Sequence, residues 1–268
     1  MAGDDKPGVD KGGRAPRNLS LDPEEMQLIN DHLKLNPQDL FKIPNIRALV
    51  AMSRLAKVAG SGGVQVLEST DDAVIENTVS HNMGGLTGMK ALDRPTLLIN
   101  ALSSIYYVFH HAASLQVLSV GPRSEAEILA LIAAGFMPEN IHGLDLISYS
   151  EFVDLGDMHA MPYEDNTFDI VFLGWVISYS NDVGRVAKEA MRVAKPGAHI
   201  AIGVERNPRS IDELADESGY RLDSTEFETT DQLLKLFEGR IAEVPFRNDV
   251  HETMMDEVSH VMVIFRLT

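Results

Sequence analysis

The residues of this chain whose types and spacing suit chemistry begin with a turn, Gly121-Pro122-Arg123, set between the apolar run "LQVLSV" and a helical segment in which Ser124 and Glu127 stand at capping-box spacing. Asp145 follows 24 residues past that glycine, at the end of the apolar stretch "IHGLDL". A carboxylate at the carboxyl end of a strand in an open α/β sheet can accept hydrogen bonds from both hydroxyls of a ribose. The order strand, turn, helix, strand, Asp therefore suggests an adenosine-containing cofactor, although any α/β unit can present it by chance. Histidines are the natural proton acceptors. His81, His110, His111, His159, His251 and His260 could reach the same face, and each fits a structural or solvent-facing role at least as well. No pair has a metal-ligand spacing, and "HETMMDEVSH" is not H-E-x-x-H, so neither a metal site nor a metal hydrolase is supported.

Positioning these residues requires particular elements. From Leu115 onward short apolar runs alternate with helix-period segments, the signature of βαβ units around a parallel sheet. "LQVLSV" is continuously apolar, as a strand covered on both faces must be. The helix "EAEILALIAAG" ends at Gly135, and "RIAEVPFRNDV" with "SHVMVIFRLT" reads as a closing pair of strands. Upstream, residues 1–21 read as a disordered tail. Asp22 is placed to cap a helix with Pro23 at its first position and Glu24 and Glu25 in its first turn. "NIRALVAMSRLAKVAG" gives a second helix closed by Gly60, "GSGG" breaks the chain, and helical patterns resume in "DDAVIENTVSHNMGG" and "PTLLINALSSIYYVFHHAASL". The expected organisation is a tail over 1–21, a helical cap or lid over 22–112, and an α/β core over 113–268.

Composition narrows the function classes. At 268 residues, 44% hydrophobic and 24% charged, the chain has the balance of a soluble globular protein. A formal net charge of -17 argues against a nucleic-acid partner, whose phosphates are met by clustered Lys and Arg. The absence of cysteine fits a reducing compartment. No apolar run approaches the ~18 residues that span a bilayer, and "MAGDDKPGVDKGGRAPRN" has no apolar core of the signal-peptide kind. The expectation is a cytoplasmic protein with no membrane partner, able to form a homo-oligomer.

The segment "DLGDMHAMPYEDNTFDIVFLGWVISYSND" followed by "VAKEAMRVAKPGAHIAIG" resembles the class I S-adenosylmethionine (SAM) dependent methyltransferases. In that family an acidic residue with an apolar neighbour precedes an "lPf..ntFD.V" segment, and a "kE..RvlkPGG" helix-turn leads into the next strand. The matching residues are Asp157-Met158, Met161-Pro162-Tyr163, Asn166-Thr167-Phe168-Asp169, Glu189, Arg192, Pro196 and Gly197, over roughly residues 115–203. The resemblance implies a Rossmann-like seven-stranded α/β sheet with S-adenosyl-L-methionine as cofactor. It further implies that Asp145 binds the ribose, Leu146 and Ile147 pack the adenine, Asp157 accepts from the adenine amino group and the Met158 backbone meets a ring nitrogen. Gly174 and Trp175 would lie beside the reacting methyl group. Tyr106 and His110, on the helix before the first strand, and Tyr179 would meet the acceptor.

The departures bear on the amino-acid half of the cofactor. The family's acidic-x-Gly-x-Gly-x-Gly turn reads here Ser119-Val120-Gly121-Pro122-Arg123-Ser124-Glu125, so two backbone-exposing glycines are replaced. Arg123 could pair bidentately with the methionine carboxylate while Glu125 or Ser119 takes the ammonium; Arg123 as a solvated loop cation is the equal alternative. The expected function is methyl transfer to a small-molecule acceptor such as a secondary metabolite. A catalytically silent methyltransferase-like scaffold is the alternative, and a nicotinamide dehydrogenase stands further off because G-x-G-x-x-G is absent.

Overall fold

The computed structural model describes residues 20–68, 94–209 and 225–268. Residues 1–19, the helical pattern around 71–85 and its His81 lie outside the described residues. The chain divides into two compact units, up to Pro37 and from Gln38 onward. In the first, helix α1 (Pro23–Leu35) starts as its sequence dictates. Asp22 accepts from the Glu25 amide at 2.9 Å, the Glu25 carboxylate accepts from the Asp22 amide at 2.8 Å, and Pro23 opens the helix.

The second unit begins with α2 (Pro44–Gly60), the short strand β1 (Gln65–Val66), α3 (Arg94–Ser103) and α4 (Tyr106–His111). The α/β part follows as β2 (Val117–Val120), α5 (Glu125–Ala133), β3 (Ile141–Asp145), β4 (Ile147–Ser148), β5 (Val153–Leu155), β6 (Phe168–Gly174), α6 (Val183–Val193) and β7 (Ala194–Arg206). It closes with α7 (Thr230–Lys235), β8 (Ile241–Asn248) and β9 (Ser259–Leu267). Seven strands form one sheet in the order β5-β3-β2-β6-β7-β9-β8, parallel except that β9 runs antiparallel to both its neighbours. The expected seven-stranded Rossmann-like sheet with its terminal pair of strands is thus observed.

Both faces of the sheet are covered, which explains the continuous apolar runs. Along β9, Val261, Val263, Phe265 and Leu267 join Val186 and Ala190 of α6 in one core layer. Met262 and Ile264, between them in sequence, join Leu98 and Leu102 of α3 and Ile128 of α5 in the other. That is the two-residue period of a strand expressed as two cores. Helices α3 and α4 therefore belong to the body of the fold, with Leu98, Leu102 and Val108 fully buried. The described part of the expected lid within this unit has no seam separating it from the sheet. Parallel strands put their carboxyl ends along one edge, and so Gly121, Asp145, Asp157 and Gly174 are gathered there.

Candidate functional site

The turn after β2 is built by unusual backbone. Gly121 has φ +68° and Arg123 φ +48°, and Trp175, just past the neighbouring β6, has φ +59°. Left-handed residues other than glycine are uncommon, and two of them flank this edge. A methyl group added at Gly121 would lie 2.4 Å from Val176 Cγ2, so the close approach permitted by this glycine is made by Val176. The bend at Arg123 aims its amide at Asp145 Oδ2, 3.1 Å away, while the Ile147 amide donates to Oδ1 at 3.2 Å. Asp145 is 6% exposed. Burial raises its pKa against the lowering effect of the Ile147, Arg123 and Leu146 amides and the Arg123 charge. Each carboxylate oxygen retains a lone pair, so two further hydroxyl donors can be accepted.

Arg123 and Glu125 differ in availability. Among the described residues the Arg123 guanidinium has neither an ion pair nor a hydrogen bond, and its charge acts through space on Asp145. Glu125 is committed elsewhere: its carboxylate takes Arg54 Nη1 of α2 at 2.6 Å, and its amide donates to Tyr149 Oη at 2.8 Å. The expectation that Glu125 or Ser119 takes the ammonium group thus concerns, for Glu125, a carboxylate that already holds Arg54. Ser119, at the position of the family's acidic residue, donates its hydroxyl to Glu127, a buried carboxyl one helical turn into α5. Sequence reading missed Arg54 and Tyr149, and it placed Glu127 in a capping box with Ser124 that does not form: the Ser124 hydroxyl accepts the Ala126 amide at 3.4 Å, and the Glu127 carboxyl takes Ser119 instead.

Next to Asp145, Leu146 is half-buried and Ile147 buried. β4 pairs antiparallel with β1, matching Val66 to Ile147, and the Leu67 amide donates to Leu146 O at 2.8 Å. Asp157 and Met158 are half-buried in the loop after β5. The loop is anchored from below by the motif pair Glu189 and Arg192. Arg192 Nη1 donates to Tyr163 O at 2.7 Å, Nη2 donates to Met161 O at 2.9 Å, and Glu189 accepts the Met161 amide at 2.8 Å. The spacing of three residues in "KEAMR" lets the two side chains meet on one helix face while both reach the loop. His159 binds Asp157 through its ring Nδ1 at 2.6 Å and Ser180 Oγ through Nε2 at 2.7 Å. Burial raises the Asp157 pKa, but the bonds and charge from His159 outweigh it and hold the carboxyl below its ordinary range.

The remaining candidates lie further from this edge or are turned away from it. The Trp175 side chain is 9% exposed, packs its ring on Gly203 of β7 and donates Nε1–H to His260 Nδ1 at 3.2 Å. Its indole is a core filler, which leaves its backbone and that of Gly174 at the edge. Tyr179 sits half-buried in a single 3-10 turn, Ile177–Tyr179. Tyr106 is 78% exposed and touches His110 ring to ring at 4.2 Å. The neighbouring Tyr107 stacks over His199, at the amino-terminal half of β7. The contacts of α4 thus run to the opposite end of the sheet from Asp145. His251 is exposed and binds Thr253. No group of His, Asp and Glu suited to a metal occurs among the described residues.

A SAM-sized ligand fits this arrangement unevenly. For the adenosine half the edge offers Asp145 with spare acceptor capacity, the half-buried Leu146 beside the buried Ile147, and Asp157 held below its ordinary range. The amino-acid half does not meet a glycine cradle, because Val176 covers Gly121 and Glu125 holds Arg54. What it meets is the unpartnered Arg123 guanidinium, complementary to a carboxylate.

Sheet order, edge and donor set together define an open α/β fold of the nucleotide-binding kind. Residues 124–202 match the family model described as a methyltransferase domain. The demethylmenaquinone methyltransferase of Shouchella clausii (strain KSM-K16) is 47% identical over 45 residues, which is 17% of this chain, and the chain spans only 19% of the length of that curated relative. Among solved structures, the N-methyltransferase NodS from Bradyrhizobium japonicum WM9 in complex with S-adenosyl-L-homocysteine is 15% identical, with 71% of this chain and 98% of that chain covered and a TM-score of 0.50. The 1,6-didemethyltoxoflavin-N1-methyltransferase of Burkholderia thailandensis, with bound 1,6-didemethyltoxoflavin and S-adenosylhomocysteine, is 13% identical over 76% of this chain and 95% of that one, with a TM-score of 0.51. Over residues 124–202 the chain is thus similar to a methyltransferase domain, and its fold is that of the SAM-dependent methyltransferases among the solved structures.

Proposed function

We propose that the protein transfers a methyl group from SAM to a small-molecule acceptor. The observation that carries this reading is the gathering of Asp145 and Asp157 at the carboxyl ends of neighbouring strands, beside Leu146 and Ile147, in a segment that matches a methyltransferase domain. Asp145 would take the ribose hydroxyls and Asp157 the adenine amino group. Arg123 would take the carboxylate, replacing the backbone contacts of a glycine-rich turn. When bound, the cofactor supplies an electrophilic methyl on a good leaving group, so the protein's task is alignment and exclusion of water. A small acceptor is supported by the toxoflavin precursor bound to one structural neighbour and by the quinone-type name of the curated relative.

Calorimetry with SAM, S-adenosylhomocysteine (SAH) and NAD tests the cofactor class, with binding of the first two and not the third expected. Arg123→Ala should weaken SAM strongly and 5'-methylthioadenosine, which lacks the carboxylate, hardly at all. Equal weakening of both would remove the carboxylate role. Asp145→Ala should weaken both ligands by about 1.5–3 kcal/mol, the worth of a charged hydrogen-bond partner. A second reading, a scaffold that binds no cofactor, is favoured by Val176 over Gly121 and by the Arg54–Glu125 pair across the turn. Absence of heat with either SAM or SAH would select it.

A further inference from the structure

The ring of His159 stands between two loops that a methyltransferase must coordinate. On one side is Asp157, in the loop after β5, and on the other is Ser180, at the end of the segment that follows β6. An ionised carboxylate only accepts, so Nδ1 carries a proton and donates it to Asp157, while Nε2 makes the second bond of the ring with the Ser180 hydroxyl. Ser180 Oγ in turn accepts the Asp182 amide at 3.0 Å. Hydrogen bonds thus run without a break from the Asp157 carboxylate to the Asp182 backbone. Asp157 Oδ1 also accepts the His159 amide at 2.8 Å, which fixes the ring's root as well as its tip. Ser180 is 2% exposed, which makes its hydroxyl a poor nucleophile and a good anchor.

We propose that His159 is a positioning residue that couples the adenine-side carboxylate, Asp157, to the segment Trp175–Ser180 on the acceptor side. This rests on the cofactor reading above, because the signal entering the chain is the adenine amino group arriving at Asp157. The segment at its far end contains Val176, which lies over Gly121, and Trp175, whose backbone is left-handed. A small displacement of Ser180 therefore reaches the wall beside the turn.

Trp175 is the only tryptophan of the chain, so its emission reports this segment directly. SAH is titrated into the full chain and followed by calorimetry and by tryptophan emission. The wild type should bind and change its emission. His159→Ala should lose affinity about fivefold and most of the emission change, since it removes one net hydrogen bond to Asp157. His159→Asn keeps an amide nitrogen where Nδ1 was but cannot reach Ser180, and Ser180→Ala cuts the same link from the other side. Both should bind SAH within about twofold of wild type, because the bond to Asp157 survives, and both should lose the emission change. Full emission change in either variant overturns the coupling, as does binding to the wild type without any change. No heat with the wild type would sink the cofactor reading itself and this proposal with it.

Discussion

Glu127 is an ionisable group placed where ionisation is costly. It is 4% exposed, held by the Ser119 hydroxyl, and burial pushes its pKa up to about 8, with the Asp145 charge adding to the rise. A folded-state pKa above the unfolded one means that the native state binds the extra proton. The stabilising contribution is complete below the ordinary carboxylate range and disappears as pH rises through about 8. The melting temperature should therefore fall between about pH 6 and pH 9, and Glu127→Gln, which keeps a neutral hydrogen-bonding side chain, should flatten that decline. Parallel melting curves for the two proteins across this range would show that Glu127 titrates normally.

Among elements, α6 anchors the loop after β5. Arg192 satisfies two loop carbonyls and pairs with Glu189 and Asp165. Arg192→Ala should cost about 2 kcal/mol in a denaturant melt, discounted for its partial exposure, and Arg192→Lys should recover little because a point charge cannot replace the fork. The Arg192 fork also holds the Glu189 carboxyl below its ordinary range. Its contribution is present above the ordinary carboxylate pKa and is lost as acid carries pH down through the lowered value. Helix α2 is tied to the turn by Arg54 and Glu125. A double-mutant cycle on Arg54→Ala and Glu125→Gln should show a coupling of about 1 kcal/mol, below that of a fully buried pair because Arg54 is partly exposed. How much of this was legible in the sequence depended on its range. The spacing of Glu189 and Arg192, the Asp22 cap and the two-faced strands are local patterns, and each formed as read. Arg54 meets Glu125 across 71 residues, and Ser180 meets His159 across 21. No periodicity encodes such meetings, so the pairing of Glu125 with Arg54 was not legible. The inward turn of the Trp175 indole was hidden for a related reason, since it follows from the empty space above Gly203, a partner on another strand.

For the molecule as a whole, the net charge of -17 is the dominant long-range fact. Acidic self-repulsion opposes the compact state and is screened by salt. Raising NaCl from about 10 to about 150 mM should raise the melting temperature, over a range in which the Debye length shrinks from about 30 to about 8 Å. A flat response would mean that opposite charges are already well interspersed. The strand order carries a consequence of another sort, concerning time. β9 is inserted between β7 and β8, both of which precede it in the chain. As the chain folds, β7 and β8 each keep an open edge until β9 is inserted between them. Such edges recruit other strands. The insertion of Ser259–Leu267 is thus the step that closes both edges, and Val263→Ala, which weakens this strand at a fully buried position, should raise the aggregated fraction on refolding at high protein concentration.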